Sequence, residues 1–243
     1  MNNNQLLAVQ QLSFNYGHKP ALIDVSFELP QGMTILLGPN GAGKSTLFSL
    51  LTQIYGIQQG DIYFNQISVT KLGYQAMQWL GVVFQQSTLD LDLTIAQNLY
   101  YFGHLHGYSR QQSLTKAQPL LMQFELQHRL HEKVRRLNSG HRRRLEIVRA
   151  LMHQPKVLLL DEPSVGLDPA SRQALADVVR DLCREQKISV LWATHLIEEA
   201  SDADHVLILN QGQLLATGRS HELQNRYQQA SLAEVFMVLT SEV

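Results

Sequence analysis

The segment Gly38-Pro39-Asn40-Gly41-Ala42-Gly43-Lys44-Ser45 has the spacing G-x-x-x-x-G-K-[ST], that of a loop built to hold phosphate. Its glycines let successive backbone N–H groups converge on phosphate oxygens, and a helix starting behind them adds the positive end of its dipole. Lys44 is placed to neutralise β- and γ-phosphates, Ser45 to offer its hydroxyl to Mg²⁺, and Thr46 to contact the α-phosphate. A second group, Asp161-Glu162, closes the apolar run Val157-Leu158-Leu159-Leu160. Two acids at the end of a buried strand can face a phosphate loop across a sheet edge. Asp161 suits a Mg²⁺ ligand, and Glu162 a general base that orients and deprotonates an attacking water. Alone, the two acids would serve equally well as a helix cap. Beside the phosphate loop they point to ATP and Mg²⁺.

Such residues need a rigid frame. The apolar run at 33–37 leads into the loop, and Lys44–Leu51 reads as the helix behind it. Further apolar runs at 81–84, 157–160, 188–192 and 206–209 read as strands buried on both faces of a mainly parallel sheet. Residues 6–29 alternate instead. Ile23, Val25, Phe27 and Leu29 are expected on one face and Asp24, Ser26 and Glu28 on the other, as in a half-buried antiparallel strand. From about 93 to 153 the chain reads as helical. Thr94-x-x-Gln97 and Ser109-x-x-Gln112 resemble capping boxes, with Gly103, Gly107 and Pro119 as punctuation. The fold class is therefore α/β: a phosphate-loop core with a mainly parallel sheet, an N-terminal antiparallel β subdomain, and an inserted helical subdomain. One domain is expected over 1–243, with core and antiparallel β at about 1–92 and 154–220. The helical part lies at about 93–153, and a helical tail at about 221–243.

Composition narrows the function classes. A net charge of -1 gives no global attraction to nucleic acid or an anionic bilayer. The single cysteine, Cys183, excludes an internal disulfide framework and a cysteine-based zinc site, and is expected to pack inward from a helix. Residues 1–5 lack the positive charge and apolar run of a secretory signal. No stretch approaches the roughly 18–20 apolar residues of a membrane span. Any membrane role is thus expected through a partner.

With these motifs in order, the sequence over about 6–218 resembles the nucleotide-binding subunit of an ABC transporter. The resemblance implies a RecA-like core in which Tyr16 stacks on adenine and Gln85, the Q-loop glutamine, meets Mg²⁺ and the attacking water. It implies a D-loop at Ser164-Val165-Gly166-Leu167-Asp168 and a switch histidine, His195, at the γ-phosphate. Asp168-Pro169 also has the form of a helix cap and first helical residue. The family signature Leu-Ser-Gly-Gly-Gln is replaced by Leu137-Asn138-Ser139-Gly140-His141. In the family this segment completes the opposing subunit's site, in a head-to-tail dimer closed over two ATP molecules. Asn138 keeps an amide donor for the γ-phosphate and Gly140 is retained, while Ser139 adds a Cβ where a glycine is usual.

The run Arg142-Arg143-Arg144-Leu145-Glu146-Ile147, and Gly81-Val82-Val83-Phe84-Gln85-Gln86 with Leu89-Asp90, resemble ATPases of drug and polysaccharide export, the ABC-2 type. The variant signature resembles a subset associated with pyrroloquinoline-quinone alcohol dehydrogenase systems. The arginine run reads as a solvated helix face, without a nucleic-acid role. The implied partners are a membrane permease subunit and a second copy of the chain or a related ATPase subunit, with no nucleic acid. The implied location is cytoplasmic, peripheral on the inner face of the cell membrane. A soluble ABC ATPase of DNA repair or translation would usually carry coiled coils, zinc cysteines or two fused halves. A non-hydrolysing regulator would not need Glu162 and His195.

Overall fold

The computed structural model describes residues 6–241. Two β-hairpin strands open the chain, β1 (Leu7–Tyr16) and β2 (Lys19–Leu29), and pair with β4 (Gln59–Phe64) and β5 (Ile67–Ser68) in an antiparallel sheet ordered β2-β1-β4-β5. A larger sheet holds β3 (Gly32–Leu37), β6 (Leu80–Val83), β7 (Val157–Asp161), β8 (Ser189–Thr194), β9 (His205–Asn210) and β10 (Gln213–Arg219). Its order is β10-β9-β3-β8-β7-β6. Every neighbour pair is parallel except β9–β10. Between β3 and β6 stand α1 (Lys44–Leu51), a short α2 (Val69–Leu72) and a 3₁₀ stretch, Gly73–Trp79.

Strand alternation decides which layer covers which face. Met33, Ile35 and Leu37 of β3, Leu158 and Leu160 of β7, and Val190 and Trp192 of β8 enter one apolar cluster. Leu36, Leu159, Leu191 and Ala193 enter a second, with α1 and the antiparallel sheet. The inserted helices α3 (Ile95–Leu105), α4 (Arg110–Gln123) and α5 (Ser139–Leu151) pack into the first cluster, as do α6 (Pro169–Gln186), α7 (Ser220–Tyr227) and α8 (Leu232–Ser241). The helical insertion thus shares the core of the large sheet. Both capping boxes form: the Thr94 and Ser109 hydroxyls accept from the N–H groups of Gln97 and Gln112, whose side chains accept from the cap N–H groups. Cys183 is buried on α6, and burial pushes its thiol up to about 12.

Two sequence expectations are corrected. Ile23 is exposed while Leu22 is buried, because a bulge breaks the period of β2: Asp24 has φ 49° and its N–H turns to the Ser13 hydroxyl. Gly103 and Pro119 do not punctuate the helical region, for both lie inside helices. A Cβ on Gly103 would stand 2.0 Å from Ser113 Oγ, so the glycine permits close α3–α4 packing. Pro119 lies within α4 and leaves the Thr115 carbonyl without a helical N–H donor. Gly107, with φ 77°, does turn the chain between those helices. Among the described residues no helix is long and apolar enough to cross a membrane.

Candidate functional site

A cavity of about 660 Å³ opens where β3 ends. Tyr16, Asn40, Gly41, Ala42, Gly43, Lys44, Ser45, Thr46, Gln85 and Glu162 line it. The loop's shape depends on its glycines. Gly43 caps α1 with φ 110°, and a Cβ there would meet the Ala21 carbonyl at 2.7 Å. A Cβ on Gly38 would meet the Leu209 carbonyl at 2.4 Å. No side chain caps α1, so its first N–H groups remain free to face the loop's ligand. The loop is braced from outside by Gly212 N–H donating to the Ala42 carbonyl and Ile23 N–H donating to the Gly212 carbonyl. Tyr16 stands on the rim, its hydroxyl 3.3 Å from that of Thr46 and its ring edge-on to Phe14 and Tyr55.

The charged residues meet behind this loop. Lys44 is 6% exposed, and its ammonium donates to the carbonyls of Gly38 at 2.7 Å and Pro39 at 3.2 Å. It also stands 3.3 Å from Glu162 Oε1. The other oxygen of Glu162 accepts from His195 Nδ1 at 2.7 Å, which places the imidazole proton on Nδ1 and leaves Nε2 free. Glu162 is buried and has φ 49°, a left-handed conformation that costs a residue with a Cβ about 1–2 kcal/mol. The ladder fixes that conformation, since Glu162 N–H donates to the Ala193 carbonyl. Strain held at a residue gripped from both sides marks a position set by the surrounding fold. Asp161, one residue earlier, is buried with Oδ1 lacking any hydrogen-bond partner. Burial and then the Glu162 charge push its carboxyl up, against a smaller pull from Lys44 and Ser45. His195 is not on the cavity wall and reaches the site through Glu162.

The remaining residues singled out in the sequence lie in a separate shallow patch. Asn138, Gly140, His141, Leu167 and Ser171 line it, where α5 and α6 begin. Asn138 caps α5, its Oδ1 accepting from His141 N–H at 2.8 Å. Asp168 caps α6 by accepting from Ser171 N–H, with Pro169 as the first helical residue. Ser139 Oγ donates to the Gly166 carbonyl at 3.2 Å, joining the start of α5 to the 164–168 loop. Within one chain this patch and the cavity are distinct.

The arginine run is not a solvated face. Arg142 donates to the carbonyls of Val134 and Arg135, and Arg144 to that of Phe124 and to Glu125. Arg143 is buried against Glu146. Helical phase explains the difference: Ile147 and Ala150, four and seven residues after Arg143 and on its face of α5, are buried, so Arg143 turns inward with them.

The ABC transporter family model matches residues 22–165, more than half of the chain. The chain belongs to the ABC transporter family. It is an ATP-binding, ATP-hydrolysing subunit of that family. Among its curated relatives, linearmycin resistance ATP-binding protein LnrL of Bacillus subtilis (strain 168) is 33% identical over 91% of this chain and 71% of the relative. Doxorubicin resistance ATP-binding protein DrrA of Mycobacterium tuberculosis is 36% identical over 93% and 69%. A Nod factor export ATP-binding protein of Ralstonia nicotianae is 33% identical over 95% and 72%. A solved ATP-binding subunit of an ABC transporter superposes with TM-score 0.84 at 27% identity, covering 96% of this chain and 99% of its own. An ATP-binding cassette of an ABC transporter in its ADP conformation gives 0.81 at 26%, covering 96% and 98%.

Read as an ABC subunit, the chain holds cavity residues that motif reading passed over: Lys19, Pro20, Ala21, Ile23, Gln211 and Gly212. Ile23 is exposed because the β2 bulge turns it toward the cavity. Nothing in the sequence marks that bulge. Gln211-Gly212, by contrast, forms the tight turn between β9 and β10, and both residues have positive φ. A Gln-Gly pair between two apolar runs was a legible turn signal.

Proposed function

We propose that this subunit binds Mg-ATP in the 660 Å³ cavity, dimerises over it, and powers a separate membrane permease of exporter type from the inner face of the cell membrane. The observation that carries the catalytic reading is that Glu162, on the cavity wall, is held at one oxygen by Lys44 and at the other by His195, which stands behind it. In this reading Glu162 accepts the proton of the attacking water, and His195 keeps the carboxylate aimed. Lys44 exchanges its carbonyl partners for β- and γ-phosphate oxygens, and Tyr16 supports the adenine. Because Lys44 is already positioned by two carbonyls, its charge is pre-organised for phosphate.

The residues fit Mg²⁺. Asp161 Oδ1 is a buried acceptor without a donor, and the Ser45 hydroxyl and Gln85 carboxamide complete an oxygen-only set. These three would hold the ion, whose chemistry is to neutralise charge on the phosphates. Asn138, Ser139, Gly140 and Asp168 are assigned to the partner subunit's nucleotide. In support, a Cβ on Gly140 would meet nothing closer than 3.6 Å, so no contact within this chain requires the glycine. The names of the relatives, linearmycin and doxorubicin resistance and Nod factor export, support the export direction.

The test is reconstitution with a permease that co-purifies with the chain, measuring MgATP hydrolysis and ATP-dependent movement of substrate out of cells. Hydrolysis absent from the assembled complex, or equal in Glu162→Gln, refutes the catalytic reading. Transport only into cells refutes export.

A further inference from the structure

The nucleotide cavity and the patch at 138–140 are connected by one helix through a buried ion pair. Arg143 and Glu146 lie one turn apart on α5, 8% and 3% exposed. Arg143 Nη1 donates to the Phe84 carbonyl at 2.8 Å and to Glu146 Oε2 at 2.9 Å, while Nη2 donates to the Gln85 carbonyl at 3.1 Å. Glu146 Oε1 accepts from Thr88 N–H at 3.1 Å. Two turns from Arg143, Arg149 Nη1 donates to the Thr88 carbonyl at 2.9 Å and its Nη2 to the Thr88 hydroxyl. Main-chain groups at both ends of segment 84–88 are thus bonded to α5. The Gln85 side chain of that segment lines the cavity, and the first turn of α5 carries Ser139 and Gly140. A buried ion pair of this kind adds little net stability, because desolvation offsets its attraction. What it does supply is geometry, and the planar fork of Arg143 reaches two successive carbonyls where a lysine would reach one.

We propose that Arg143 and Glu146 are positioning residues for ATP hydrolysis. They fasten segment 84–88 to α5, so that Gln85 in one subunit's cavity and residues 138–140 facing the partner's nucleotide shift as one body. The inference rests on the roles given above to Gln85 and to 138–140. Displacing a reacting group by about 1 Å can cost on the order of a hundredfold in rate, so a loosened tie acts on kcat. Nucleotide affinity, set by the phosphate loop, stays.

The test replaces the pair by apolar residues, Arg143→Met with Glu146→Leu, an exchange buried ion pairs commonly tolerate without loss of fold. Expected are an unchanged thermal midpoint, amide exchange at residues 85–88 at least about tenfold faster as the ties open, MgATP affinity within about twofold, and kcat at least about tenfold lower. Adding Gln85→Ala lowers kcat no further, because residues acting as one unit are not additive. Wild-type kcat, unchanged exchange, or losses that multiply with Gln85→Ala each overturn the proposal. Should the double variant not fold, Arg143→Lys keeps the charge and the Glu146 partner but loses the fork. A several-fold fall in its kcat supports the tie, and wild-type kcat overturns it. If Gln85→Ala alone keeps full kcat, the role given to Gln85 falls. The tie is then judged on exchange and on ATP-driven dimerisation, and wild-type values of both overturn it.

Discussion

Glu162→Gln separates chemistry from architecture at this site. Gln has the shape of Glu and the same tolerance of φ 49°, so the backbone strain is unchanged. Its Oε1 still faces the Lys44 ammonium, 3.3 Å away in the wild type. Its Nε2 faces His195 Nδ1, which can accept only after the imidazole proton moves to the other ring nitrogen. The charge-assisted hydrogen bond from His195, about 1.5–3 kcal/mol, becomes a neutral one of about 1 kcal/mol, and the Lys44 ammonium exchanges an ion pair for an ion–dipole contact. Removal of a buried charge offsets part of that loss. A net destabilisation of about 1–2 kcal/mol remains, which lowers Tm by a few degrees at about 2–4 °C per kcal/mol for a chain of this size. The rate effect is far larger. Losing a positioned base costs about 10²–10⁴-fold, or about 3–5 kcal/mol of barrier. Steady-state phosphate release, calorimetric ATP titration and scanning calorimetry should therefore show turnover gone, ATP bound and the fold intact, with a long-lived ATP-bound dimer. Turnover within about tenfold of wild type, with normal ATP binding, refutes Glu162 as the base. Loss of ATP binding shows instead that the carboxylate serves mainly to seat Lys44.

Lys44→Ala should abolish MgATP binding. Because Lys44 is buried against Glu162, it should also lower stability in the absence of nucleotide by about 1–3 kcal/mol; unchanged calorimetric affinity refutes the phosphate-loop role. Asn138→Asp keeps an acceptor for His141 N–H but removes the amide donor, so ATP-driven dimerisation in the Glu162→Gln background should fall at least about tenfold with the helix cap intact. Equal sedimentation of both forms refutes a role across the dimer. Ser139→Gly should raise turnover if the Cβ holds the subunits apart, whereas Ser139→Ala, which keeps the Cβ, should not; equal rates in all three refute the steric argument. His153, stacked on His106 and bonded through Nε2 to the Leu80 carbonyl, has its pKa lowered to about 4, by burial first and by His106 second. The unfolded chain therefore takes up a proton first, so stability is full above about pH 6.5 and declines as pH falls toward 4. The full shift corresponds to about 3 kcal/mol, cut to about 1–2 kcal/mol by partial solvent access. His153→Leu should flatten the pH dependence of Tm between 6.5 and 4, and an identical profile refutes the assignment.

Features set by neighbours in sequence were legible, and those set by distant contacts were not. The phosphate loop, α1 and the two capping boxes depend on residues within a few positions of one another, and their chemistry is written locally. The buried strands of the large sheet showed as continuous apolar runs because both faces are covered. The phase of β2 was misjudged because one bulge, paired with Ser13 on β1, moves Ile23 from the core face to the cavity. Gly103 read as a break because its reason is Ser113 on the neighbouring helix. Arg143 read as solvated because its partners lie about 60 residues away, at Phe84 and Gln85. The clasp of Lys44, Glu162 and His195 likewise joins three elements whose distances no spacing rule supplies.

The departure of the signature from the family pattern has a physical reading. Asn138 spends its oxygen on the α5 cap, a task a serine hydroxyl performs equally well, and still has both amide hydrogens to donate. Replacing serine by asparagine at this position therefore changes the reach of the donor while keeping the cap. Ser139 replaces a glycine, and its hydroxyl is bonded to Gly166 of its own chain. Two loops assigned to the partner's nucleotide, 138–140 and 164–168, are thereby joined to each other. Each is further anchored at a helix start, by Asn138 on α5 and Asp168 on α6. A glycine would leave that connection to the partner's contacts alone, whereas here it exists before any partner arrives. The structure thus trades the close approach a glycine permits for pre-organisation of the facing surface. Comparing Ser139→Gly with Ser139→Ala measures which of the two effects governs turnover.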